Sequence, residues 1–115
     1  MEKHIDSDKL LERLENMGPA IKKYAKAKAD RVYIDQYRKS LKAILMAQAK
    51  ERGAKTGIEL ETYAYSHKDY IDLLTGLREA VEIEEKHKWA LENLKIMFEV
   101  WRTTQANERF IKDRV

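Results

Sequence analysis

The chain has 115 residues, 43% of them hydrophobic and 37% charged, with 23 Lys/Arg against 20 Asp/Glu for a net charge of +3. The hydrophobic content excludes a disordered polar chain, the length allows one domain at most, and the lack of cysteine excludes disulfides, thiolate metal sites and a cysteine nucleophile. No apolar run approaches the ~20 residues of a membrane span, and MEKHIDSDK at the N-terminus lacks a signal peptide's apolar segment, so a cytoplasmic protein outside the membrane is expected.

Four glycines and one proline give little punctuation, and no strand-like alternation is visible; the expectation is an all-α fold, a single helical domain over residues 1–115. Residues 7–17 read as a short helix or a kinked extension, because Gly18-Pro19 separates them from the next apolar run. Leu10, Leu14, Met17, Ile21 and Tyr24 keep one apolar stripe across that interruption, which favours a kink. The first long helix is expected over 19–52. In it Ile34, Tyr37, Leu41, Ile44 and Gln48 alternate spacings of three and four, the seam of a helix lying against another, in a phase different from the Leu10 stripe.

The segment RGAKTGIE marks a turn at 53–56. Gly53 can adopt the left-handed conformation that ends a helix, and Thr56 with Glu59 has capping-box spacing. A second long helix is expected over 57–105, or, after a separate short turn, from residue 66, where Ser66 and Asp69 give a second start signal. Leu60, Tyr63, His67, Tyr70, Leu74, Leu77 and Val81 form its first stripe; Ala80, Ile83, His87, Ala90, Leu94, Met97 and Trp101 form another, one residue out of phase. Folding the chain about residue 55 places the two phase changes at one level. That predicts a long antiparallel helical hairpin, coiled-coil-like, because paired helices must adjust together. Residues 106–115 are expected to be a tail, with Asn107 able to close the helix. Trp89, Ile96 and Val100 lie off the seam; a second apolar face needs a second partner, and a dimer forming a four-helix bundle meets that need.

Charge is unevenly spread. Residues 20–55 carry eleven Lys/Arg against three Asp/Glu, and residues 56–101 carry five against ten. A basic arm and an acidic arm can simply set the pairing of the two helices through flanking ion pairs. The functional alternative is that Lys22, Lys26, Arg31, Arg38, Lys39 and Lys42 belong to a solvent-facing stripe for nucleic-acid phosphates, with Tyr24, Tyr33 and Tyr37 interleaved to stack on bases. At the far end Trp101 is expected either to anchor the base of the hairpin or to join Arg102, Asn107 and Arg109 in a patch for a partner or an anion.

Signals for catalysis are poor. Glu84-x-x-His87 has the spacing of a carboxylate–histidine metal pair, but the basic arm offers few carboxylates to complete it, so a seam-edge histidine is the expectation. His67 reads as a packed histidine and His4 as part of a loose terminus. No phosphate loop or serine–histidine arrangement is present, so neither an enzyme nor a cofactor or metal site is expected.

The runs YRKSLKAILMAQA, YAYSHKDYIDLLTGLREAVEIEEKHKW and EVWRTTQANERF resemble a family of small helical bacteriophage and prophage proteins, over residues 20 to 110. Its most specific parts are Trp101–Arg102 with Ala106, Asn107 and Arg109, and the segment from Tyr70 to Val81. Many members carry proline after the histidine of the YSHKDY region; Lys68 stands there, so the resemblance does not fix where the second helix starts. Genes of the family often neighbour phage single-strand annealing and recombination genes. The resemblance implies a context in phage DNA metabolism and not a mechanism. Taken with the basic arm and the second apolar face, the first reading is a non-enzymatic accessory protein of DNA recombination or replication, dimeric, binding a phage or host DNA-metabolism protein, single- or double-stranded DNA through the basic face, or both. Two other readings are an inhibitor that occludes a host nuclease or defence complex with its acidic face, and a coiled-coil scaffold with no further ligand.

Overall fold

The computed structural model describes residues 7–114, so His4 lies outside the described residues. The fold is all-α, with four helices among the described residues: α1 (Ser7–Glu15), α2 (Met17–Glu51), α3 (Gly57–Ser66) and α4 (Lys68–Arg114), and no strand among them. Lys26–Glu84 form one packing unit, and the chain on either side of that segment forms the other.

α1 and α2 are separated by Asn16 alone. The Asn16 N–H donates to the Glu12 carbonyl at 3.3 Å, and the Ala20 N–H donates to Asn16 at 3.1 Å, so the ladder bridges the junction. Pro19 has no N–H for the Glu15 carbonyl four residues back, and α1 ends at Glu15. The ring itself sits in the first turn of α2, where it is tolerated.

α2 closes at Gly53, whose φ of +102° suits a residue without Cβ. The Gly53 N–H donates to Lys50 and the Ala54 N–H to Ala49, at 3.1 and 3.0 Å, the two bonds of a Schellman motif. Thr56 then caps α3 through its hydroxyl, which accepts the Glu59 N–H at 3.2 Å. The Glu59 carboxylate reaches back to the Lys55 N–H at 2.9 Å, one residue earlier than a capping box requires.

The second arm is two helices and not one over 57–105; of the two starts the sequence allows for the long helix, the structure has the later, two residues beyond Ser66. Ser66 does not cap α4; its hydroxyl bonds back to the Thr62 carbonyl at 2.6 Å. His67 instead leaves the helical region (φ −68°, ψ 139°), and its Nδ1 accepts the Asp69 N–H at 3.0 Å. At the other end, residues 106–114 continue α4 and are not a tail. ANERFIKDR contains neither glycine nor proline, and Asn107 lies inside the helix.

Within Lys26–Glu84 the inward residues are Ala27, Arg31, Ile34, Arg38, Leu41 and Leu45 on α2, and Tyr70, Leu73, Leu77, Ala80 and Glu84 on α4. Their spacing alternates three and four without a break, so the expected phase changes are absent. Tyr37, Ile44, Gln48, Leu74, Val81 and Ile83, assigned to the seam by their spacing, are exposed. Arg31, Arg38 and Glu84 take seam positions instead. The core of this unit is Leu41, Leu45, Ala64 and Tyr70, with Met46, Tyr63 and Leu73 packed against it. Leu45 is only 1% exposed, and burying such a side chain contributes about 2 kcal/mol.

In the other unit Leu10 and Leu91 are buried, and Leu14, Met17, Tyr24, Leu94, Phe98 and Trp101 are half-buried, while Ile21 and Ala90 face solvent. The Trp101 indole N–H donates to the Ser7 hydroxyl at 3.2 Å, which sets the start of α1 beside the later part of α4 in antiparallel sense.

Candidate functional site

The basic residues of α2 divide into those the hairpin uses and those it presents. Arg31 is not part of a solvent-facing stripe. Its Nε and Nη2 donate to the two carboxylate oxygens of Glu84 at 2.6 and 3.1 Å, with side-chain exposures of 29% and 11%. A guanidinium matches a carboxylate fork for fork, so a seam can hold this pair where it could not hold either charge alone.

Arg38 also leaves the stripe in part: it is half-buried and contacts Asp35 Oδ1 at 3.2 Å. A hydrogen bond with the Tyr70 hydroxyl, then the Asp35 charge, raises the guanidinium above its ordinary pKa. Lys42 lies 3.7 Å from Glu61 and 4.8 Å from the centre of the Tyr65 ring. Its ammonium is raised by the Tyr65 hydroxyl first, with Glu61 adding to it. All three therefore tie α2 to the second arm.

Lys22, Lys26 and Lys39 are exposed. Lys26 pairs at the surface with Asp30, one turn on, at 3.2 Å, a contact of the kind worth a few tenths of a kcal/mol. Lys39 falls on the side of α2 away from the seam. Among the tyrosines, Tyr24 is half-buried, whereas Tyr33 and Tyr37 stand outside the seam and stack on each other, centroids 6.5 Å apart and planes 9° from parallel.

At the end of α4, Trp101 stacks on Phe98 with centroids 6.1 Å apart, in addition to its bond to Ser7. Arg102 is exposed and sits 3.6 Å from Glu99. Asn107 and Arg109 are exposed on the same helix. Arg102 and Arg109, two turns apart, line a shallow hollow of about 610 Å³ with Trp101, Phe110 and the carboxylates Glu99 and Asp113. The acidic side chains leave little net positive charge there.

Glu84 is the residue whose role spacing does not disclose. Its distance from His87 in sequence suggests a metal pair, yet its carboxylate is held by Arg31 across the seam. Among the described residues no group of three or more His, Cys, Asp or Glu could hold a metal ion, and no helix is long and apolar enough to cross a membrane. Compared with known proteins, the chain matches no family model, no curated protein and no solved structure.

Proposed function

We propose that the chain is a non-catalytic accessory protein of phage DNA recombination or replication, which holds nucleic-acid phosphates with the outward lysines of α2 and a protein partner with the polar end of α4. The observation that carries this reading is the sorting of charge on α2. Arg31, Arg38 and Lys42 are engaged with the second arm, while Lys22 and Lys39 project from a segment with eleven Lys/Arg against three Asp/Glu. The gene neighbourhood of the family it resembles supports the DNA context. Arg102, Asn107 and Arg109 supply the exposed donors at the end of α4.

The test is fluorescence anisotropy of labelled single- and double-stranded oligonucleotides titrated with the protein at several salt concentrations. Binding should weaken steeply with salt. The Lys22→Glu/Lys39→Glu variant should bind far more weakly, with the log–log salt slope reduced by about 1.4 to 1.8, since each lost phosphate contact removes ~0.7–0.9. These two positions carry no seam contact, so the hairpin stays folded, unlike variants at Arg38 or Lys42. Absence of binding at low salt would overturn the reading. Loss of a partner only on reversal at Glu82, Glu85 and Glu92 would favour the acidic-face inhibitor in its place.

A further inference from the structure

One side of the Lys26–Glu84 unit is built as if for contact. Between α2 and α4 runs a groove of about 370 Å³, lined by Ala27, Tyr33, Ile34, Gly76, Ala80 and Ile83 and bordered by Asp30 and Glu79. Tyr33 is 72% exposed and Ile83 51%. Tyr37 stacks beside Tyr33, and Ile44 continues the same edge of α2 two turns further on. Gly76 lies inside α4, where glycine is a poor helix former, and a Cβ there would meet nothing within 4 Å. The hairpin's own packing therefore gives no reason for it. What the missing side chain leaves is a hollow open to the outside.

We infer that this face is the interface of a homodimer, in which the Tyr33–Tyr37 pair of one copy seats over the Gly76 hollow of the other, α2 lying against the partner's α4. Two observations favour a second copy as the occupant. A projecting aromatic pair and a hollow occur on the same patch, as a two-fold interface requires. Within the Lys26–Glu84 unit the α2 side is basic and the α3–α4 side acidic, so the basic side of one copy meets the acidic side of the next. Single-stranded nucleic acid could stack on the tyrosines, but Asp30 and Glu79 at the groove edges repel phosphate. The inference stands apart from the proposed function, since Lys39 faces another side of α2 and Lys22, although on the Tyr33 edge three turns earlier, lies outside the Lys26–Glu84 unit.

The experiment is sedimentation equilibrium of the full chain across micromolar concentrations, with far-UV circular dichroism on each variant. The wild type should be a dimer. Gly76→Leu should remain fully helical, because leucine is the better helix former, yet raise the dimer dissociation constant at least about 30-fold by filling the hollow. Tyr33→Glu should do the same. Val81→Glu, on the opposite side of α4, should leave the dimer intact. A wild type that is monomeric up to ~100 μM overturns the inference. So does a dimer lost only in Val81→Glu, or a Tyr33→Glu variant that keeps its mass and loses oligonucleotide binding alone.

Discussion

Replacing Arg31 by alanine withdraws the bidentate guanidinium from a Glu84 side chain that is only 11% exposed. Breaking a buried pair from one side costs about 3–5 kcal/mol; with Arg31 partly in solvent the expected loss is about 2–3 kcal/mol. Urea unfolding should show it as a lower midpoint at unchanged slope. The paired change Arg31→Leu/Glu84→Leu should recover most of that loss, because two leucines at seam positions bury apolar surface with no charge to desolvate. If both single variants unfold at the wild-type midpoint, the pair is solvated in solution. Leu45→Ala, in the centre of the core, should cost about 3 kcal/mol by the same measurement.

The junctions between helices make predictions of a different kind. Lys68 opens α4 directly after His67, whose φ and ψ of −68° and 139° already suit a residue preceding proline. Proline is favoured at a first helical position, so Lys68→Pro should leave helicity unchanged and raise stability by up to ~1 kcal/mol. Gly53→Ala should lower stability by about 1 kcal/mol, since alanine must adopt a φ of +102°. A melting point lower in the proline variant and unchanged in the alanine variant would contradict both accounts. The turn and its caps are legible in the sequence, because Gly53, Thr56 and Glu59 act through their own backbone neighbours. The phase of the seam is not. An apolar count assigns Tyr37, Ile44, Val81 and Ile83 inward, but the inward places belong to Arg31, Arg38 and Glu84, which become acceptable there only through partners on the other arm. The break at His67 falls one residue from its expected place for a related reason: a histidine ring cap has no signature as recognisable as a serine's.

At the scale of the fold, the all-α class and the antiparallel pairing inside the Lys26–Glu84 unit are readable from the position of one turn in a chain with a single proline. The sequence places the second apolar face on Trp89, Ile96 and Val100. Trp89 and Ile96 are indeed exposed, but the structure adds Tyr33, Tyr37, Ile44 and Ile83 in the Lys26–Glu84 unit. The outward lysines are only partly legible, since sequence cannot tell Lys39 from its neighbour Arg38, which Tyr70 and Asp35 draw inward. If the chain associates through its groove, its thermal midpoint should rise with protein concentration, and Gly76→Leu should abolish that dependence while raising the midpoint at low concentration. A midpoint independent of concentration in the wild type would speak for a monomer.

The Arg31–Glu84 contact has a consequence for how the chain finds its alignment. Two helices with matching three-four stripes can meet in several registers, each shifted by seven residues and each burying similar apolar surface. A shift that brings Arg31 to the level of Leu77 buries a cation against leucine, and the penalty falls on the wrong alignment while the right one gains little. The pair thus works as an error check during folding. The double-leucine variant, although nearly as stable at equilibrium, should refold in more than one phase as slipped hairpins form and re-sort.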